Sequence, residues 1–170
     1  MSGMASPSSA TSSRRASPVP ETSAGLLLFR RREAGVEIFL VHPGGPFWAK
    51  KDDGAWSIPK GLYADGEDAL AAAQREFAEE VGTRVEGDFT ALGEFKLPSG
   101  KRLSVWAIEG DLDAASISSN LFEMEWPPRS GTRAEFPEVD RAGWFPLDVA
   151  RAKLTKGQLQ VLDAFVKRLS

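Results

Sequence analysis

The order of apolar and polar positions predicts strands first, one helix in the middle of the chain and another at its end. Residues 24–31 (AGLLLFRR) and 37–42 (EIFLVH) are short apolar runs bounded by charge and separated by a turn at 33–36. Each is too short for a typical helix, so length assigns both to strands of one sheet. Residues 89–97 and 102–109 alternate, and Pro98-Ser99-Gly100-Lys101 between them reads as a hairpin loop. Residues 142–145 (AGWF) suggest a last short strand, and residues 147–153 a helical turn or two. Over 156–169, Leu159, Leu162, Phe165, Val166 and Leu169 form a helical apolar stripe, with Thr155 and Gln158 spaced as a capping box. That helix serves packing.

The middle helix falls in residues 61–83, GLYADGEDALAAAQREFAEEVGT. Leu70, Phe77 and Val81 share an arc that would face a core, while Glu76, Glu79 and Glu80 fall within roughly 100° of one another, since i, i+3 and i+4 are neighbours on a helix. Asp65 is placed to cap the N-terminus with Asp68 three residues on, Glu67 suits the positive end of the helix dipole, and Gly82 sits where a left-handed residue ends a helix. The span expected is 66–81. Like charges at i, i+4 cost a few tenths of a kcal/mol. A hard divalent cation would offset that repulsion.

Two loops are long enough to have work of their own. Residues 43–55 carry Phe47, Trp48, Lys50, Lys51, Asp52 and Asp53. The aromatics suit stacking on a base and the lysines suit phosphates; equally, the rings would cover one end of the sheet and the lysines would be solvated. Residues 56–60 then read as an extended segment, with Pro59 ending any ladder there. Residues 111–140 are polar and irregular, with Trp126-Pro127-Pro128 and the acids Glu123, Glu125, Glu135, Glu138 and Asp140, and are expected to lie over the site.

Composition narrows the class. The 170 residues are 42% hydrophobic and 26% charged, enough for one domain with a substantial core. We assign residues 1–22, rich in Ser, Ala, Pro and Thr, to a disordered tail and 23–170 to the folded domain. A net charge of −3 argues against a dedicated nucleic-acid binder. With no cysteine, disulfides, thiolate zinc sites and a cysteine nucleophile are excluded. His42, the sole histidine, follows an apolar strand and reads as structural. No apolar run reaches the roughly 18 residues of a membrane span, so a soluble, cytoplasmic protein is expected.

Gly61, Glu67, Arg75, Glu76, Phe77, Glu79, Glu80 and Gly82 stand in register with the Nudix box: G, five residues, E, seven residues, R-E, a bulky apolar residue, any, E-E, any, G, then an apolar residue. Only Thr83, at the final apolar position, departs from it. The order of elements around the box also resembles the Nudix family, over about 23–170. The resemblance implies an α/β (α+β) sandwich with a mixed central sheet, and a hydrolase that cleaves a phosphoanhydride in a nucleoside diphosphate linked to another moiety. It implies Mg2+, with Mn2+ as a substitute, held by Glu76, Glu79 and Glu80, with the Gly61 backbone carbonyl as a further ligand. Magnesium prefers oxygen ligands and keeps several waters, which suits such an open set. By the same resemblance Arg75 orients the glutamates and Glu67 ties the loop to the helix. The general base stays open among Glu76, Glu79, Glu125, Glu135 and Glu138; Glu125 ranks first of the loop acids because Met124 and Trp126 would bury its surroundings.

Pro59-Lys60-Gly61 resembles the start of the box in dinucleoside polyphosphate hydrolases. Lys60, Lys50, Lys51, Lys96 and Arg102 are candidate phosphate contacts, and Trp48, Tyr63 and Trp126 candidate base contacts. The expected ligand is a small nucleotide polyphosphate, without a membrane or nucleic-acid partner, bound by a monomer or homodimer. A non-catalytic nucleotide sensor of the same fold and an RNA 5′-end pyrophosphohydrolase are the alternatives.

Overall fold

The apolar runs that open the chain become the buried centre of a mixed sheet. The structure, a computed structural model, describes residues 21–169. The tail assigned to 1–22 therefore lies almost wholly outside the described residues. β1 (Thr22–Arg32) and β2 (Gly35–Pro43) are antiparallel, and β1 runs parallel to β5 (Arg102–Glu109) along its other edge. β4 (Thr90–Lys96) pairs β5 through the expected hairpin, and β8 (Val139–Pro146) pairs β2. The order is β4-β5-β1-β2-β8, with short β3 (Lys60–Leu62) pairing the start of β1. Being central and covered on both faces, β1 needs a continuous apolar run rather than alternation. Its Leu26 and Leu28 pack one layer and its Leu27 the other.

One face is covered by α1 (Ala69–Val81), whose Ala72, Ala73, Phe77 and Val81 meet Leu26, Leu28, Phe39 and Val41. The other is covered by α2 (Leu147–Lys153) and α3 (Leu159–Leu169), with Val161, Leu162 and Phe165 against Leu27, Ile38, Leu40 and Leu103. This is the α/β/α sandwich expected. No helix among the described residues is long and apolar enough to cross a membrane.

Several local expectations are corrected. α1 begins at Ala69, not 66, and Asp68 rather than Asp65 caps it, its carboxylate accepting from Ala71 N at 3.0 Å. Gly66 has φ of 88°, a left-handed turn that an α-helix does not contain. Glu67 therefore lies outside the helix. The C-terminus ends as expected, Gly82 N donating to Ala78 O at 2.8 Å.

Pro59 does not end a ladder but precedes one, since β3 starts at Lys60. Thr155 makes no side-chain cap. Gln158 instead turns inward, accepting from Ile58 N at 3.0 Å and donating to Ser57 Oγ at 2.9 Å. Finally, the segment expected to be irregular contains a hairpin, β6 (Leu121–Glu125) with β7 (Arg133–Pro137).

Candidate active site

α1 and β3 bring the acidic side chains together. Pairing of Gly61 with Ala24 places β3 beside the helix, and Glu76 reaches back over it. A methyl group at Gly61 would collide with the Glu76 carboxylate, so only glycine leaves room for that side chain. Arg75 gathers the rest. Its Nε and Nη2 donate to the two oxygens of Glu67 at 3.1 and 3.2 Å, and its Nη1 donates to Glu76 Oε2 at 2.6 Å and Glu79 Oε2 at 3.1 Å. The bidentate contact to Glu67 ties the turn before α1 to the helix. It also holds the Glu67 carboxyl below its ordinary value.

Glu76 and Glu80 are pushed the other way. Burial lifts Glu80 up to about 8, against the opposing charge of Lys60 and a 3.3 Å hydrogen bond from Lys60 N; repulsion from Glu76 and Glu138 adds to the rise. Burial also raises Glu76, whose side chain is only 14% exposed, with Arg75 opposing and Glu79 and Glu138 adding. Two carboxylates desolvated side by side, with too little positive charge around them, form a site that favours a cation.

Among the described residues, no three acidic or imidazole groups already converge as a metal cage. Glu76 and Glu79 are instead turned onto Arg75. The donor set nevertheless fits a hard divalent ion: all its members are carboxylate or carbonyl oxygens, the ligands that Mg2+ takes. The under-compensated charge of Glu80 and the clearance at Gly61 point the same way.

A fourth carboxylate joins them from the far end of the chain. Glu138 lies between β7 and β8, its N donating to Asn120 O at 2.8 Å and its O accepting from Gly44 N at 2.9 Å. Asn120 N in turn donates to Glu79 O at 2.9 Å, which fastens the foot of the β6–β7 hairpin to α1. Glu125 is not brought to this cluster. It is exposed at the hairpin tip, where Oε2 accepts from Gly131 N at 2.8 Å. Glu135 is likewise exposed, across the hairpin from Glu123.

Of the candidate substrate contacts, Lys60 is adjacent to the carboxylates and Lys50 and Lys51 are exposed on the 43–55 loop. Lys96 faces a groove of about 460 Å³ shared with Lys156 and Gln160, on the α3 side of the sheet. Arg102 is engaged by Glu94 at 2.9 Å. Tyr63 packs partly against the α1 layer. Trp48 is 42% exposed, but it is its neighbour Phe47 that meets Trp126, with ring centroids 5.7 Å apart. The sequence had named Phe47 only as one of two loop aromatics. His42 is fully buried as expected, Nδ1 2.8 Å from Asp140 Oδ1 and Nε2 2.6 Å from Lys51 O.

A mixed sheet between helical layers, with a glutamate-bearing helix held against a glycine strand by one arginine, is an arrangement specific enough to define a protein family. The chain belongs to the Nudix family: the NUDIX domain model matches residues 19–165. It is 33% identical over 138 residues to an 8-oxo-(d)GTP phosphatase of Mycolicibacterium smegmatis, covering 79% of this chain and 35% of that protein. To an RNA pyrophosphohydrolase of Rhodospirillum rubrum it is 37% identical over 95 residues, covering 52% of this chain and 56% of that one. The chain thus spans about a third and about half the length of these relatives.

Among solved structures, a C. elegans Ap4A hydrolase binary complex matches with a TM-score of 0.61 at 21% identity, covering 86% of this chain and 97% of that one. The NUDIX domain of Shewanella oneidensis NrtR with ADP ribose matches at 0.60 and 16% identity, covering 90% of each chain. At such identities the likeness is one of fold. Nudix hydrolases generally use divalent metals, in keeping with the donor set above.

Proposed function

We propose that the chain is a Mg2+-dependent pyrophosphohydrolase of nucleoside polyphosphates, acting in the cytoplasm. The observation that carries this reading is the carboxylate cluster: Glu76 lies over Gly61, Arg75 bonds Glu67, Glu76 and Glu79, and Glu80, lifted by burial to about 8, accepts from Lys60 N at 3.3 Å. A protein gains little from an acid kept in that state unless a cation is to share the site.

In this reading Glu76, Glu79, Glu80 and the Gly61 carbonyl hold the metal, which when bound polarises the phosphoryl oxygen and lowers the pKa of water. Arg75 orients Glu76 and Glu79 by its shared Nη1 contacts. Glu67 fixes Arg75, and Lys60 offers a cation to the substrate phosphates. For the base we assign Glu138 in place of Glu125. Its side chain makes no hydrogen bond or ion pair among the described residues, and it is close enough to raise both Glu76 and Glu80. A carboxylate free in that position is suited to take a proton from an attacking water.

The test is a screen of 8-oxo-dGTP, ordinary nucleoside triphosphates, dinucleoside polyphosphates and ADP-ribose with Mg2+ or Mn2+. Mg2+-dependent release of phosphate or pyrophosphate is expected, with Glu80→Gln reducing kcat by at least about a hundredfold and Glu138→Gln by about ten- to a thousandfold. A loss below about tenfold for Glu80→Gln would sink the metal role. Binding without turnover would favour the sensor alternative. The likeness to an RNA pyrophosphohydrolase makes 5′-triphosphorylated oligonucleotides a necessary member of the screen.

A further inference from the structure

We infer that Phe47 and Trp126 form a notch that takes the aromatic base of the substrate; this rests on the reading of the carboxylates as the phosphate end of the site. The two rings meet nearly at right angles, 82° between planes, with centroids 5.7 Å apart. Such an L-shaped pair leaves an inner corner where a planar heterocycle can stack on one ring and set its edge against the other. Phe47 is 61% exposed, the largest exposure of any bulky apolar residue among those described.

The fold has no need of this contact. The hairpin is already held at its foot by Asn120 and Glu138, and Phe122 packs with Phe136 inside it. An exposed Phe47 against a half-buried Trp126, drawn from segments about eighty residues apart, is more than a hairpin requires.

Position ties the notch to the chemistry. Gly44, three residues before Phe47, donates to the backbone oxygen of Glu138 at 2.9 Å. Three residues span at most about 11 Å, so with that hydrogen bond the Phe47 backbone lies within about 14 Å of the Glu138 backbone. A nucleoside polyphosphate, whose base is joined to its anhydride through ribose and phosphate, has the length to reach both.

The loop bearing Phe47 is also fixed in place. His42 holds Lys51 O at 2.6 Å, and Asp52 accepts from Trp56 Nε1 and from Lys153 Nζ, each at 2.8 Å. An aromatic platform held rigid before the ligand arrives loses less on binding than a mobile one. Stacking is tolerant of base identity, so the notch selects nucleotides over base-free phosphates rather than one base over another.

Calorimetric binding tests this without turnover, using methylene-bridged analogues of ATP and GTP and, as the base-free probe, inorganic tripolyphosphate, all with Mg2+. The full chain should bind the nucleotides more tightly than tripolyphosphate. Phe47→Ala and Trp126→Ala should each weaken nucleotide binding by roughly 5- to 100-fold and leave tripolyphosphate unchanged. Trp126→Phe should recover most of the loss. Equal weakening of both probes, no change in either, or a self-association that Trp126→Ala abolishes would overturn the inference. If the protein binds as expected but hydrolyses no nucleotide, the hydrolase reading falls and the notch stands.

Discussion

Replacing Glu80 with glutamine should make the metal-free protein more stable while removing its activity. The folded carboxyl titrates at about 8, against an ordinary value of 4.5. Because the folded value is the higher one, the folded protein keeps a proton that the unfolded chain has released. This group's contribution to stability is therefore greatest below about pH 4.5, falls as pH rises from there to about 8, and levels off above. A pKa difference of one is worth about 1.4 kcal/mol, so this single group costs roughly 3 kcal/mol at pH 7. Water reaching the site reduces that, and about 1.5–3 kcal/mol is the expected range.

Glutamine has the same shape, can still accept from Lys60 N, and carries no charge to bury. In a domain of this size 1 kcal/mol shifts Tm by about 2–4 °C. Melts in EDTA should thus show Glu80→Gln above the parent by about 4–10 °C at pH 7.5, the gap closing towards pH 4.5. Added Mg2+ should narrow it at neutral pH, because an ion bound only by the folded parent raises the parent's stability. A variant no more stable than the parent in EDTA, or a gap that does not change with pH, would refute the argument that burial holds the Glu80 carboxyl at that raised value.

Three further substitutions probe the supports of the site. Gly61→Ala drives a methyl into the Glu76 carboxylate and should lower kcat at least tenfold, with far less effect on Tm than a core truncation; steady-state kinetics beside a thermal melt decide it. Gln158→Leu leaves Ile58 N without its 3.0 Å acceptor in a buried setting and should cost about 1–3 kcal/mol, read from urea midpoints, with faster hydrogen exchange at Ile58. His42→Leu keeps nearly the volume but abandons Asp140 and Lys51 O, so exchange over residues 44–51 should quicken and KM for nucleotides should rise with little change in kcat.

How far the sequence revealed this site follows from which constraints are local. Glu76, Glu79 and Glu80 were readable because a helix repeats every 3.6 residues, so spacing alone puts them on one face. The start of the helix was misread by one turn because Asp65 and Asp68 are both good caps, and the deciding feature is the left-handed Gly66 between them. Gln158 was misread as part of a capping box because its true partners, Ser57 and Ile58, lie about a hundred residues away. No local pattern carries that information. The hairpin at 121–137 did leave a trace, with Phe122, Met124, Ala134 and Phe136 partly buried and Leu121, Glu123, Glu125, Arg133 and Glu135 exposed. It is faint because a two-stranded ribbon covers one face only.

The same alternation explains why Glu125 lies outside the carboxylate cluster and Glu138 beside it. Glu125 drew attention because bulky Met124 and Trp126 flank it, as though neighbours in sequence would bury it. In a strand successive side chains point to opposite faces, so burying Met124 is what turns Glu125 outward. Glu138 has no such flanks. It follows Pro137 at the strand's end, where the chain passes from β7 to β8 and the backbone is held by Asn120 and Gly44. A carboxylate placed by those two bonds owes its position to the meeting of the hairpin, the 43–55 loop and α1. That meeting exists only after the sheet has formed, so the acid that completes the cluster is set by topology, whereas those that begin it are set by helical spacing.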